Sequence, residues 1–167
     1  MNQLELIKDI HTNAVNKGWW DEHRSWKETR ILIASEIAEL LEAFRNNEQD
    51  KNCDKPIKLT YLEEELADII IRVLDYIPTL IVYEKYTPPM VYTGTITNNA
   101  AINLDTLMAN LYSHHETDDK YYFAQKLTYF IGHVVSIANH YNINIWEAIK
   151  IKHEYNKTRE YKHGKKF

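Results

Sequence analysis

Two stretches decide the fold: ILIASEIAELLEAFR, residues 31–45, and EEELADIIIRVLD, residues 63–75. Each is apolar around most of a helical circumference, which marks a buried helix. Each nevertheless carries two acids three residues apart, Glu36 with Glu39 and Glu65 with Asp68. Acidic side chains are rarely buried without a partner. Residues at i and i+3 also share a face, so each pair repels itself by about 0.2–0.5 kcal/mol. Folding alone asks for neither pair; a divalent cation accounts for both.

Outward from these stretches the chain reads as helical. Apolar residues at helical spacing predict a helix over 3–16, stopped by Lys17-Gly18. An aromatic, charged connection, WWDEHRSWK, covers 19–27, and a second helix runs from Glu28 to Asn46. Residues 46–56 are polar and read as a loop. Thr60 with Glu63 forms a capping-box pattern for a helix over 61–77, which Pro78 ends or kinks. The stretch EKYTPPMVYTGTITNN, 84–99, breaks the pattern and suits either a short hairpin or a long loop. Further helices are predicted from Ala100 to about His115, from an Asp118 or Asp119 cap to Tyr141, and from Ile145 to about Thr158. With 4 Gly and 4 Pro in 167 residues, the expectation is a single all-α domain, a bundle of five or six helices around one core.

Bulk composition excludes several classes. A single cysteine, Cys53, permits no intramolecular disulfide and agrees with a reducing, cytoplasmic setting. The N-terminus lacks a signal-peptide pattern and no run suits a membrane span. The net charge of -4 gives no general reason to bind nucleic acid. Phosphate loops, C-x-x-C pairs and H-E-x-x-H are all lacking. A carboxylate-bridged iron bundle needs Glu-x-x-His on two helices, and the chain offers only Glu160-x-x-His163. His114-His115 reads as a solvated helix cap, and Cys53 has no base placed to activate it.

On the first helix, residues 32, 36, 39 and 43 form a stripe; on the second, 61, 65, 68, 72 and 75 do. Packed antiparallel, the helices bring Glu36, Glu39, Glu65 and Asp68 face to face, with a formal charge of -4. Such a cluster suits Mg²⁺, which takes oxygen ligands and keeps sites for substrate phosphates; Mn²⁺ is a possible substitute. Solvated helix faces, with Arg72 pairing Asp68 at i+4, explain one such motif less awkwardly than two. Glu42, Glu63 and Glu64 read as solvent-facing or capping residues.

The pattern Glu-x-x-Glu, 25 intervening residues, Glu-x-x-Asp resembles the signature of the MazG-like all-α nucleoside triphosphate pyrophosphohydrolases. LIASEIAELLEAFR and EELADIIIRVLD resemble that family's two metal helices. NKGWWDEHRSWKE resembles the approach segment of phage and bacterial members, and IKHEYNKTREYKHGKKF resembles their C-terminal motif. The likeness covers roughly residues 1–78 and 137–167, so 79–136 reads as an insertion or an extra helical pair.

The resemblance implies Mg²⁺-dependent conversion of a nucleoside triphosphate and water to a monophosphate and pyrophosphate. Glu36, Glu39, Glu65 and Asp68 would hold metal, and Glu39 with Glu36 would be catalytic, Glu39 orienting or deprotonating the water. Lys152, Asn156 and Arg159, at i, i+4 and i+7, resemble the K-x-x-x-N-x-x-R arrangement of dimeric pyrophosphatases, on one face of a last helix continuing through Arg159. They would meet the triphosphate, with Tyr161, Lys162 and His163 closing over it. Residues 152–167 hold six Lys or Arg against Glu154 and Glu160, so a solubilising basic end is the plainer account of the tail. Trp20, in the cluster of Trp19, Trp20, His23 and Trp26, offers a stacking surface for a base. The resemblance further implies a homodimer or homotetramer. Two alternatives stay open: a selective dUTP or dCTP pyrophosphatase, and a non-catalytic helical module that senses nucleotides or binds protein.

Overall fold

The computed structural model describes residues 2–80, 87–89 and 91–164, the His163 side chain excepted. Among them are six α-helices and no strand: α1 Gln3–Asn16, α2 Trp26–Arg45, α3 Tyr61–Tyr76, α4 Ala100–Ser113, α5 Lys120–His140 and α6 Ile145–Thr158. The all-α bundle expected from the sequence is therefore what forms.

Local chemistry explains where the helices begin. Asn2, Ser25 and Thr60 each accept from the backbone N–H three residues on, while Glu5, Glu28 and Glu63 reach back to the cap. The Ser25 box starts α2 two residues before the expected Glu28. Asp119, not Asp118, caps α5. Pro78 sits in a 3-10 turn, Ile77–Thr79, that ends α3. Of the 84–99 stretch, residues 84–86 and 90 lie outside the described residues, as do 165–167; the described remainder carries no strand.

α3 is the central element, packing against α2, α6, α1 and α5. Leu66, Ala67, Ile69, Ile70 and Val73 are completely buried there. α2 runs antiparallel to α3: Trp26, at its start, lies 5.3 Å from Tyr76 at the end of α3, while Glu36 reaches Arg72. α4 packs on α2 and α5, and its Leu104, Leu107 and Leu111 join the common core with Phe123 and Leu127 of α5. The 79–136 stretch therefore helps to build the core. Among the described residues no helix is long and apolar enough to cross a membrane.

A strap closes the bundle after α6. Tyr161 donates to Asp21, the Lys162 N–H donates to the Lys17 carbonyl at 2.8 Å, and Lys17 Nζ donates to the Arg159 carbonyl. Gly18 sits beneath it at φ +79°, and a Cβ there would run into the Tyr161 ring. Both the left-handed backbone and the contact require glycine.

Candidate active site

The antiparallel pairing of α2 and α3 brings Glu36, Glu65 and Asp68 together, with ligand oxygens all within 4.8 Å of one another. Glu36 and Glu65 are each only 5 % exposed. Glu39, one turn further along α2, is exposed and lines the cavity beside this cluster. That cavity measures about 320 Å³. Its acidic wall is Glu36, Glu39 and Asp68; its cations are Arg24, Lys55, Arg72 and Arg159; Trp19, Asn13 and Asp75 line it as well.

Each carboxylate in the cluster has a different environment. Arg72 donates from Nε to Oε1 of Glu36 at 2.7 Å, and its terminal nitrogen joins the same oxygen. Arg72 thus pairs across the helices with Glu36, and not with Asp68 as the solvated-face alternative would have it. Asp68 is held through Oδ2 by Lys152 at 2.6 Å. Burial raises the Asp68 carboxyl, Lys152 opposes this, and the nearby Glu36 charge adds to it. Among the described residues no lysine or arginine forms an ion pair with Glu65. Burial first, then Asp68 and Glu36, push its carboxyl up to about 9, and its Oε2 is buried without a hydrogen-bond partner. The cluster fits a hard divalent cation on this ground: a buried, orphaned carboxylate oxygen faces two further carboxylates, each bonded to protein through one oxygen only.

Beneath this cluster lies a buried ion chain. Glu64 is completely buried, and its Oε1 takes both Lys152 of α6 and Lys55 of the α2–α3 loop. Burial raises the Glu64 carboxyl, but Lys152 and Lys55 outweigh it and hold Glu64 below the usual range. Glu64 therefore faces neither solvent nor the helix cap, because a lysine 88 residues away turns that side of α3 inward. Cys53, in the same loop, is buried, and burial pushes its thiol up, which disfavours the thiolate.

The expected triphosphate residues divide. Asn156 and Arg159 line the cavity, and Asn156 Oδ1 is buried without a partner. Arg159 reaches it from the extended residue that caps α6, since the helix stops at Thr158. Lys152 does not line the cavity: completely buried, it is consumed by Glu64 and Asp68. Tyr161 is exposed and bound to Asp21. Lys162 lines an adjoining cavity of about 370 Å³ that shares Trp19, Arg24 and Leu32 with the first. The His163 side chain lies outside the described residues.

Trp20 does not line the cavity either. Its indole N–H donates to Asp75 at 2.9 Å, and its ring packs against His11 and Tyr76. His11 Nδ1 lies 2.8 Å from the same carboxylate. Trp19 is the indole on the cavity wall, with the Arg24 guanidinium 5.2 Å from its ring. His114 caps α4 as expected, but it is buried, and burial pushes its imidazole down to about 4.

Sequence reasoning missed Lys55, Arg24, Asp75 and His153 in the cavity. His153 is buried and bonds Asp9 at 3.0 Å. Only Asp75 left a signal, as the last member of the α3 acidic stripe. No family model, curated protein or solved structure matches the chain.

Proposed function

We propose that this protein is a Mg²⁺-dependent nucleoside triphosphate pyrophosphohydrolase, releasing a monophosphate and pyrophosphate. One observation carries the reading: Glu36, Glu65 and Asp68 converge within 4.8 Å beside a cavity whose remaining walls hold four cations. Carboxylates and cations lining one cavity suit a metal–polyphosphate complex.

Glu36, Glu65 and Asp68 would hold the metal, with Glu39 as a fourth ligand at the rim. Bound there, Mg²⁺ neutralises phosphate charge, lowers the pKa of a water and stabilises the leaving pyrophosphate. Glu39 is the exposed carboxylate, so it accepts the proton of the attacking water as the α–β anhydride bond breaks. Arg24, Arg159 and Arg72 face the phosphate charge, and Trp19 gives the base an aromatic face. Self-association into a dimer or tetramer and a cytoplasmic location belong to the same reading; light scattering tests the first.

A second reading, nucleotide binding without turnover, draws on a different observation. Arg72 and Lys152 pair with Glu36 and Asp68, two of the carboxylates that would hold the metal. One experiment separates the two. Purified protein is incubated with Mg²⁺ and a panel of ribo- and deoxyribonucleoside triphosphates, including dUTP and dCTP, with Glu39→Gln as control. Monophosphate plus pyrophosphate, lost in the variant, supports the enzyme and names its base. Nucleotide binding with no product supports the second reading.

A further inference from the structure

Resting on the pyrophosphohydrolase reading, we propose that Lys55 is a phosphate-binding residue of this site, parked on the buried carboxylate of Glu64 until a polyphosphate enters the cavity.

Two lysines meet on one buried carboxylate. Glu64 is completely buried and shares its fully buried partner, Lys152, with Asp68. Lys55 is the second ammonium on the same Glu64 oxygen, and with it two lysines serve two carboxylates. Burying such charges is costly even when they are paired. Lys55 is nevertheless brought there, by a structured loop. Its Asn52 pairs with Thr60, the Cys53 N–H donates to the Leu59 carbonyl at 2.9 Å, and Cys53 and Leu59 are both buried.

Lys55 also differs from Lys152 in access. Its side chain is 31 % exposed, against 1 % for Lys152, and it lines the cavity with Glu36, Glu39 and Asp68. It is therefore the lysine of the Glu64 cluster that solvent and a cavity ligand can reach. Arg72 is held on Glu36 by two nitrogens, whereas Lys55 meets Glu64 through one; when Lys55 leaves, Glu64 keeps Lys152, which it shares with Asp68. A phosphate oxygen beside the metal carboxylates gives the ammonium a new charge-assisted bond. Glu64 is then a positioning residue: it sets where Lys55 waits and does not touch substrate.

The test compares wild type, Lys55→Ala, Lys55→Arg and Lys51→Ala. Lys51 is the control, a loop lysine that pairs with Glu48 at 3.2 Å and does not line the cavity. KM and kcat are measured with Mg²⁺ and the preferred triphosphate, alongside melting temperature. The binding of Mg²⁺–tripolyphosphate, which has no base or sugar, is measured by calorimetry. The proposal expects Lys55→Ala to raise KM and weaken tripolyphosphate binding by about tenfold, the scale of one charge-assisted contact. Lys55→Arg should recover most of this, and Lys51→Ala should match wild type. Unchanged KM and tripolyphosphate affinity in Lys55→Ala, whatever its melting temperature, overturns the phosphate role while turnover keeps the enzyme reading intact. Should wild type turn over no triphosphate, the enzyme reading fails and tripolyphosphate binding decides alone. Weaker binding by Lys55→Ala than by wild type supports the proposal. Equal binding, or none to either, overturns it.

Discussion

Arg72 Nε on α3 lies 2.7 Å from Glu36 Oε1 on α2, and this bond ties the two acidic helices together at their most crowded point. Without it, Glu36 would face Glu65 and Asp68 in a buried setting with no cation of its own. Arg72→Met should therefore destabilise the metal-free protein, by about 2 kcal/mol; the Arg72 side chain is 29 % exposed, so the full cost of breaking a buried pair does not apply. Excess Mg²⁺ should return most of the loss, because a ligand that binds only the folded state stabilises it by mass action. Urea unfolding with and without Mg²⁺ checks both points, and an equal loss in both conditions would detach Arg72 from the metal site.

Glu65 makes metal binding and stability depend on pH in a defined direction. Burial and the neighbouring Asp68 and Glu36 charges push its carboxyl up to about 9 from an ordinary value of 4.5. Between those values the folded state keeps a proton that the unfolded chain has lost. The contribution of Glu65 is thus fully present below about pH 4.5 and is lost as pH rises toward 9. Glu65→Gln should flatten the metal-free stability profile over that range. At pH 7, Mg²⁺ binding should release about one proton in wild type and none in Glu65→Gln. Calorimetry in two buffers of different ionisation enthalpy reads the proton directly.

Lys152 separates a binding role from a structural one. The C-terminal motif implied phosphate contact, yet Lys152 is completely buried between Glu64 and Asp68. Lys152→Met should cost about 3–5 kcal/mol, because it strands Asp68 and leaves buried Glu64 with Lys55 alone. For a chain of this size that lowers the melting temperature by about 10 °C. Glu64→Gln added to it should recover part of the loss. A variant with normal stability and weakened triphosphate binding would restore the phosphate role to Lys152.

These cases show where the sequence was readable. Helix positions followed from local chemistry: α1, α3 and α6 lie within a residue of their expected bounds, since the Thr60–Glu63 box and the Asn142–Asn144 break are signals only a few residues long. The convergence of Glu36, Glu65 and Asp68 was also legible, because two acidic stripes on antiparallel helices leave them few other places. What failed was partner choice over long range. Glu63, Glu64 and Glu65 are adjacent and chemically alike, and only a lysine on α6 makes the middle one a core residue. Lys55 carried no signal because its loop has no period to read. The sequence favours Trp20 over Trp19 for stacking, yet Trp19 lines the cavity, because the choice depends on which of them meets Asp75 of α3.

The same pair of tryptophans gives a prediction with opposite readouts. Trp20 is fixed by Asp75 and packs on His11 and Tyr76, so Trp20→Ala should lower stability, by about 3 kcal/mol, through lost packing and an unpaired acceptor. Trp19 lines both the acidic cavity and its neighbour, so Trp19→Ala should change stability less and raise KM for nucleotides by about tenfold. Tripolyphosphate has no ring to stack, so its affinity should be unchanged by Trp19→Ala. Melting curves and steady-state kinetics on the two variants decide it. A rise in KM confined to Trp20→Ala would move the base to the Asp75 side of the wall and return the stacking role to Trp20.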